Sequence, residues 1–261
     1  MVVTIIGGGH IGGACALGFD AAGAACVRVT ARHRETLERF RGTGISVSQD
    51  NATAVRDADF VLLAVKTAQV PEALESIRDV IDWKKQTLVC LAAQVQPDEL
   101  VATLGGKMPG QAARPRLLYA IPNTAVEIGR GVTFLADVRA GEEAMVKARE
   151  LFSAVGIVQT VPMSLLPAGI ALASCGAGYA LKYIASAAAT GEKMGFGAEE
   201  AARIVAQTVL GTSDLLLRGE CDPVADLRRV ATPGGMTEKG VKAMEDAGFD
   251  GAVEAGLTAN L

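Results

Sequence analysis

Histidine is almost missing from this chain: His10 and His33 are the only two in 261 residues. That excludes a His-rich metal site and any chemistry that needs an imidazole in the second half. No metal is expected. Cysteine is sparse and scattered. Cys15, Cys26, Cys90, Cys175 and Cys221 are odd in number and include no C-x-x-C pair. This excludes a disulfide framework and a zinc knuckle and fits reduced thiols in a cytoplasmic protein. Aromatic residues amount to 4%, so the core must be built from aliphatic and small side chains, and helices rich in Ala and Gly can approach closely. No run of Lys or Arg occurs and the formal net charge is −4. A nucleic acid or an anionic membrane surface is therefore not the expected partner. Residues 1–6 carry no basic segment and are not read as a signal peptide. Long apolar runs are few. The exception, residues 165–189, holds a single charge at Lys182, has Pro167 near its start and is rich in Ala and Gly. It reads as a helix at a protein interface, not as a membrane span.

What is present is alternation. Half the residues are hydrophobic, enough for an ordinary core. Up to about residue 160, short β-rich runs alternate with helical spacing, the pattern of a parallel sheet covered by helices. Strands are predicted over 2–6, 25–30, 45–48, 60–65, 87–92, 116–121, 131–135 and 157–161. Helices are predicted over 11–23, 35–41, 52–56, 70–81 and 142–154. From residue 165 the β-rich runs stop. Helices are predicted near 166–191, 198–218, 222–230 and 235–246, with a last one to the C-terminus. A boundary is placed near Pro162, dividing the chain into 1–162 and 163–261.

Gly7-Gly8-Gly9-His10-Ile11-Gly12 fits G-x-G-x-x-G, follows the first predicted strand and opens the first predicted helix. In that context the first glycine makes the turn, the second admits a pyrophosphate, the third packs helix on strand, and the helix N-terminus offers free N–H groups. This predicts a Rossmann-type dinucleotide site at Gly7, Gly9, His10, Ile11 and Gly12. The end of the second strand reads Thr30-Ala31-Arg32-His33-Arg34, with no acid to hold a ribose 2′-hydroxyl. Arg32 and Arg34 suit a 2′-phosphate, so NADP(H) is expected over NAD(H). Val65 and Lys66 follow a buried strand at the carboxyl edge, where doubly wound sheets bind ligands. Asn123 follows another strand and is of a type to bond a carboxamide. The loop Thr232-Pro233-Gly234-Gly235-Met236-Thr237 joins two helices and can hold a carboxylate on backbone N–H groups.

The order of Gly7–Ala14, Leu62–Lys66, Ile121–Thr124, Lys193–Leu217 and Ala231–Phe249 resembles the Δ1-pyrroline-5-carboxylate reductase family. The resemblance runs over nearly the whole chain and is most specific over residues 193–249. It implies a dinucleotide-binding domain followed by an all-α domain for substrate binding and dimerisation. It implies NAD(P)H-dependent reduction of a cyclic imine to proline, by a homodimer or higher homo-oligomer. The substrate carboxylate would lie on Thr232, Gly234, Gly235 and Met236, with Thr237 as the catalytic hydroxyl near the imine nitrogen. Thr67 stands where the family has proline, Gln94 where it has glycine, Tyr119 at the place of an arginine, and Ala177 within its G-S-G-P-A-Y element.

Two other readings use the same residues. Gly176-Ala177-Gly178-Tyr179-Ala180-Leu181-Lys182 resembles the G-x-G-x-x-x-K element of β-hydroxyacid dehydrogenases, whose lysine is an acid–base. A dinucleotide-binding paralogue without turnover is the other.

Overall fold

A computed structural model of the chain describes residues 1–92, 94–105 and 115–259. The strands are β1 (Val2–Ile6), β2 (Cys26–Thr30), β3 (Ser46–Ser48), β4 (Phe60–Leu63), β5 (Thr87–Cys90), β6 (Arg116–Pro122), β7 (Gly131–Asp137) and β8 (Gly156–Thr160). They form one sheet in the order β3-β2-β1-β4-β5-β6-β7-β8. Every neighbouring pair is parallel except β6 and β7, which run antiparallel. The chain reverses its direction of winding between β1 and β4, which makes their carboxyl ends the expected ligand crevice.

The central strands are apolar on both faces because helices cover both faces. Alternation sorts their side chains into two cores. Ile5, Val29, Leu62, Val89 and Leu118 point to one side, against Phe19 and Phe152. Ile6, Val61, Leu63, Leu88 and Leu117 point to the other, against Leu74, Ile77 and Leu100. Phe19 and Phe152 meet edge to face at 5.3 Å, so two of the seven phenylalanines pin α1 (His10–Ala21) to a distant helix of the chain. The other helices of this unit are α2 (Arg34–Leu37), running into a 3-10 turn, then α3 (Asn51–Ala54), α4 (Val70–Ile77), α5 (Pro97–Gly105), α6 (Glu142–Ser153) and α7 (Leu166–Gly169). Gln86 is buried yet satisfied, donating to the carbonyls of Val55 and Ala58 and accepting from the N–H of Asp82. Among the described residues no buried side-chain nitrogen or oxygen lacks a partner.

The differences from expectation are local. The helix predicted over 70–81 ends at Ile77; Ile81 sustains the apolar spacing because it is buried, but from a turn. Helix α5 was not expected, although Pro97 followed by Asp98 and Glu99 is a start signal of its own. The chain divides into compact units Met1–Ser174 and Cys175–Leu261, past the boundary expected at Pro162. The reason is packing: Leu166 lies in the sheet core, and Gly169 sits so near Phe134 that a Cβ there would come within 2.9 Å of its ring. A π-helical stretch, Ile170–Cys175, follows.

The second unit is wholly helical: α8 (Gly176–Lys193), α9 (Ala198–Arg218), α10 (Pro223–Val230), α11 (Met236–Asp246) and α12 (Phe249–Thr258). Helices α8 and α9 form a hairpin whose turn uses Gly195 at φ +106°. They approach where Gly191 faces Ala201; a Cβ at 191 would stand 3.1 Å from that of Ala201. Asp222 caps α10 by accepting from the N–H groups of Val224 and Ala225. This unit buries little of itself. Leu210, Leu215 and Leu217 are each more than 60% exposed.

Candidate active site

The glycine loop hangs between two strands. Gly7 donates its N–H to the Thr30 carbonyl, and Ala64 donates to Ile6. Gly7 has φ +108°, and a Cβ there would lie 2.6 Å from the Ala64 oxygen. A Cβ on Gly12 would fall 2.0 Å from the Gly7 oxygen, so the third glycine lets helix and strand meet. Gly9 differs: it caps α1 in an extended conformation, and nothing lies within 4 Å of the place its Cβ would take. The loop is thus closed on its protein side and open outward, which is the cradle a dinucleotide pyrophosphate requires. On this ground the residues fit the cofactor.

Gly7 and Gly9 line a cleft of about 360 Å³ together with Arg32, Val65 and Lys66. His10, exposed at the start of α1, Ile11, packed on the core, and Gly12, behind the loop, are not on its wall. Arg34, at the start of α2, lines an adjoining depression with Phe40 and Arg41, and Gln49 lines both. Of the expected pair, Arg32 lines the cleft and Arg34 lines the depression beside it. Asn123 is occupied structurally: its oxygen accepts from the Val132 N–H and its amide donates to the Ala173 carbonyl.

Several cleft residues were not expected. His33, Gln49, Asn51, Gln69 and Glu72 all line it. Gln49 donates to the Arg32 carbonyl at 2.7 Å, while Asn51 accepts from Thr30 and donates to Ser76. Glu72 forms an ion pair with Arg32 at 2.6 Å. The signal for Gln49 and Asn51 was present, since both follow a strand at the same edge of the sheet. Glu72 carried none, as it sits in an ordinary helix start.

Tyr119, at the place of a family arginine, is a core residue. It is 1% exposed and donates its hydroxyl to the Val95 carbonyl at 2.6 Å. Burial pushes its pKa up, with Cys90 adding to the shift, and burial raises the Cys90 thiol to about 11. Neither group ionises near neutrality. Thr67 is exposed at the start of a 3-10 helix, and Gln94 is exposed in a turn.

In the helical unit, the 232–237 loop is held from within. Gly234 adopts φ +74° and donates to the Glu238 carboxylate at 2.7 Å, and Gly235 donates to the Thr232 carbonyl at 2.9 Å. Two of the N–H groups expected for a substrate carboxylate are thereby used. Met236 and Thr237 open α11 with no side-chain cap, and both are exposed. A Cβ on Gly235 would lie 2.8 Å from the Thr232 hydroxyl, so this glycine permits the turn. Lys182 lines an apolar groove of about 890 Å³ with Tyr179, Met194, Phe196, Ile204 and Phe249.

Among the described residues no group of His, Cys, Asp and Glu is arranged to hold a metal. The doubly wound sheet, with a glycine loop opening on a cleft at its winding reversal, defines a dinucleotide-binding oxidoreductase. A family model described as pyrroline-5-carboxylate reductase dimerisation matches residues 164–261, and one described as NADP oxidoreductase, coenzyme F420-dependent, matches residues 2–94. The pyrroline-5-carboxylate reductase of Aquifex aeolicus is 30% identical over 97% of this chain and 92% of its own length. Pyrroline-5-carboxylate reductase 2 of Dictyostelium discoideum is 27% identical over 98% and 89%. A solved pyrroline-5-carboxylate reductase from Coxiella burnetii superposes with a TM-score of 0.85 at 29% identity, covering 99% of this chain and 95% of its own. The chain belongs to the pyrroline-5-carboxylate reductase family, and it is an oxidoreductase acting on a carbon–nitrogen double bond.

Proposed function

We propose that this enzyme reduces Δ1-pyrroline-5-carboxylate to proline with NADPH in the cytoplasm, the sheet unit binding the dinucleotide and the helical unit serving substrate and dimerisation. The observation that carries the reading is a family match over the whole chain that includes an intact glycine cradle beside Arg32. A solved Plasmodium falciparum pyrroline carboxylate reductase with NADP bound shares the fold, with a TM-score of 0.85 at 20% identity over 100% of this chain and 95% of its own.

When bound, the dinucleotide supplies a hydride. Gly7 and Gly9 would seat its pyrophosphate, Val65 and Lys66 would border it, and Arg32 would pair with the 2′-phosphate. The N–H groups of Met236 and Thr237 would hold the substrate carboxylate at the start of α11. A cyclic imine is basic enough to be partly protonated near neutrality, and the Thr237 hydroxyl would accept the hydrogen bond of its N–H. With hydride supplied to the imine carbon, the C=N π pair would pass to nitrogen, which would keep its proton beside Thr237 as the product amine. The protein's main contribution is positioning. Incubation with NADPH and a panel of cyclic imines and 3-hydroxy acids tests the assignment. Oxidation of NADPH with the imine alone supports it. Turnover of hydroxy acids alone, or binding with no turnover, would replace it with one of the two rival readings.

Arg32→Ala is expected to weaken NADPH about ten- to a hundredfold, the loss of a charge-assisted hydrogen bond, with little change for NADH. Arg34→Ala should leave both within about twofold, as for a solvated arginine. Equal effects of the two substitutions in a fluorescence titration would contradict the single-arginine site.

The helical unit also supports a homodimer. The run Met163–Lys193 is long and apolar enough to cross a membrane, yet it contains Lys182. A second copy laid against the groove beside it covers the same surface without lipid. In detergent-free buffer at micromolar concentration the protein is expected to sediment as a dimer or a multiple of one. A monomer, or a protein recovered only in detergent, would refute this.

A further inference from the structure

We infer that Glu72 is a specificity-determining residue that limits the preference of this enzyme for NADPH over NADH. The inference rests on the proposal that the cleft holds the adenosine end of the dinucleotide. The second strand ends without an acid, which by itself points to NADPH. The fold supplies the acid from elsewhere: α4 starts beside the reversal point, and its first turn brings the Glu72 carboxylate to within 2.6 Å of the Arg32 guanidinium. Both side chains line the cleft and both are exposed, 56% for Arg32 and 71% for Glu72, so each is free to reach a ligand.

The surroundings anchor the Arg32 backbone and leave both side chains free; Lys66 lines the same cleft but forms no ion pair with Glu72. The Arg32 backbone is anchored by Gln49, and Thr30, Asn51 and Ser76 close the floor through neutral hydrogen bonds. Among the described residues Arg32 has no second ion-pair partner within the cleft, and neither has Glu72. A 2′-phosphate must therefore draw Arg32 from Glu72 and then lie beside a carboxylate of its own sign. A ribose 2′-hydroxyl meets the opposite situation, since it can donate to that carboxylate while Arg32 stays paired. The Arg32–Glu72 pair thus weakens one cofactor and supports the other.

The test is the dissociation constant of NADPH and of NADH, read by fluorescence titration without substrate, for the unmodified enzyme, Glu72→Gln, Arg32→Met and the double variant. Glu72→Gln should tighten NADPH about three- to fivefold, the scale of an exposed charge interaction, and weaken NADH about two- to threefold. The gain should shrink as salt is raised. The double variant should bind NADPH more tightly than Arg32→Met. An affinity ratio unchanged within twofold in Glu72→Gln, or a loss of NADPH affinity there, would overturn the inference, the second result making Glu72 a support for Arg32. Failure of the unmodified enzyme to bind either dinucleotide would instead remove the cofactor assignment beneath it.

Discussion

Gly9→Ala should leave the melting temperature unchanged while weakening NADPH at least about tenfold, whereas Gly12→Ala should damage binding and stability together. The two glycines are three residues apart, Gly9 at the N-cap of α1 and Gly12 within its first turn, and they answer to different constraints. Gly9 already has an extended backbone that alanine adopts, and its Cβ would meet nothing within 4 Å. The added methyl would occupy only the space into which a pyrophosphate must come, and a tenfold loss is ~1.4 kcal/mol. At Gly12 the methyl would lie 2.0 Å from the Gly7 carbonyl oxygen and 2.8 Å from the Ala64 side chain. Those atoms belong to the loop and the strand edge and have no free direction to move. Overpacking of this kind costs about 1–3 kcal/mol, and roughly 2–4 °C of melting temperature accompanies each kcal/mol in a chain of this size. Thermal melts and NADPH titrations of both variants check the pair. A Gly9→Ala protein that binds NADPH normally would take the loop out of the cofactor site.

Thr237→Val should slow turnover roughly ten- to a hundredfold with NADPH affinity unchanged. Valine keeps the shape of threonine and removes only the hydroxyl. A hydrogen bond to a charged partner contributes about 1.5–3 kcal/mol, and each 1.4 kcal/mol is about one decade in rate. Thr237 begins α11 exposed and uncapped, so the change should not disturb folding. Lys182→Met is the control for the rival chemistry. Lys182 lies in the apolar groove of α8 and α9, and its loss should leave the rate per assembled enzyme within a few-fold. If Lys182→Met abolished turnover and Thr237→Val did not, the acid–base lysine of a hydroxyacid dehydrogenase would be the better description.

Much of this was legible in one dimension because it is local or periodic. The glycine loop declares itself through the strand before it and the helix after it. The buried strands β4 and β5 are unbroken apolar runs, and the second unit is helical because β-rich runs stop after β8. The reductase family was also readable from the order of its motifs, and the relatives bear it out. Boundaries were less legible. Ile81 repeats the spacing of Ile77 from outside the helix, and the segment after Pro162 packs on the sheet although its composition matches the helical part.

By itself the sequence determined that the chain has a dinucleotide-type loop, a parallel sheet ahead of a helical unit, and no imidazole in its second half. Backbone sterics, hydrophobic period and residue inventory act over a few positions, so they need no fold to be read. Only the tertiary structure decided which side chains share a cleft. It set Arg34 on the rim of a different depression from Arg32, put Tyr119 into the core and gave the carboxamide of Asn123 backbone partners. It also brought Glu72 to Arg32 across 40 positions of chain. Charges act through space and hydrogen bonds need close approach, and both distances are set by strand order and helix placement, which no single stretch of the chain encodes.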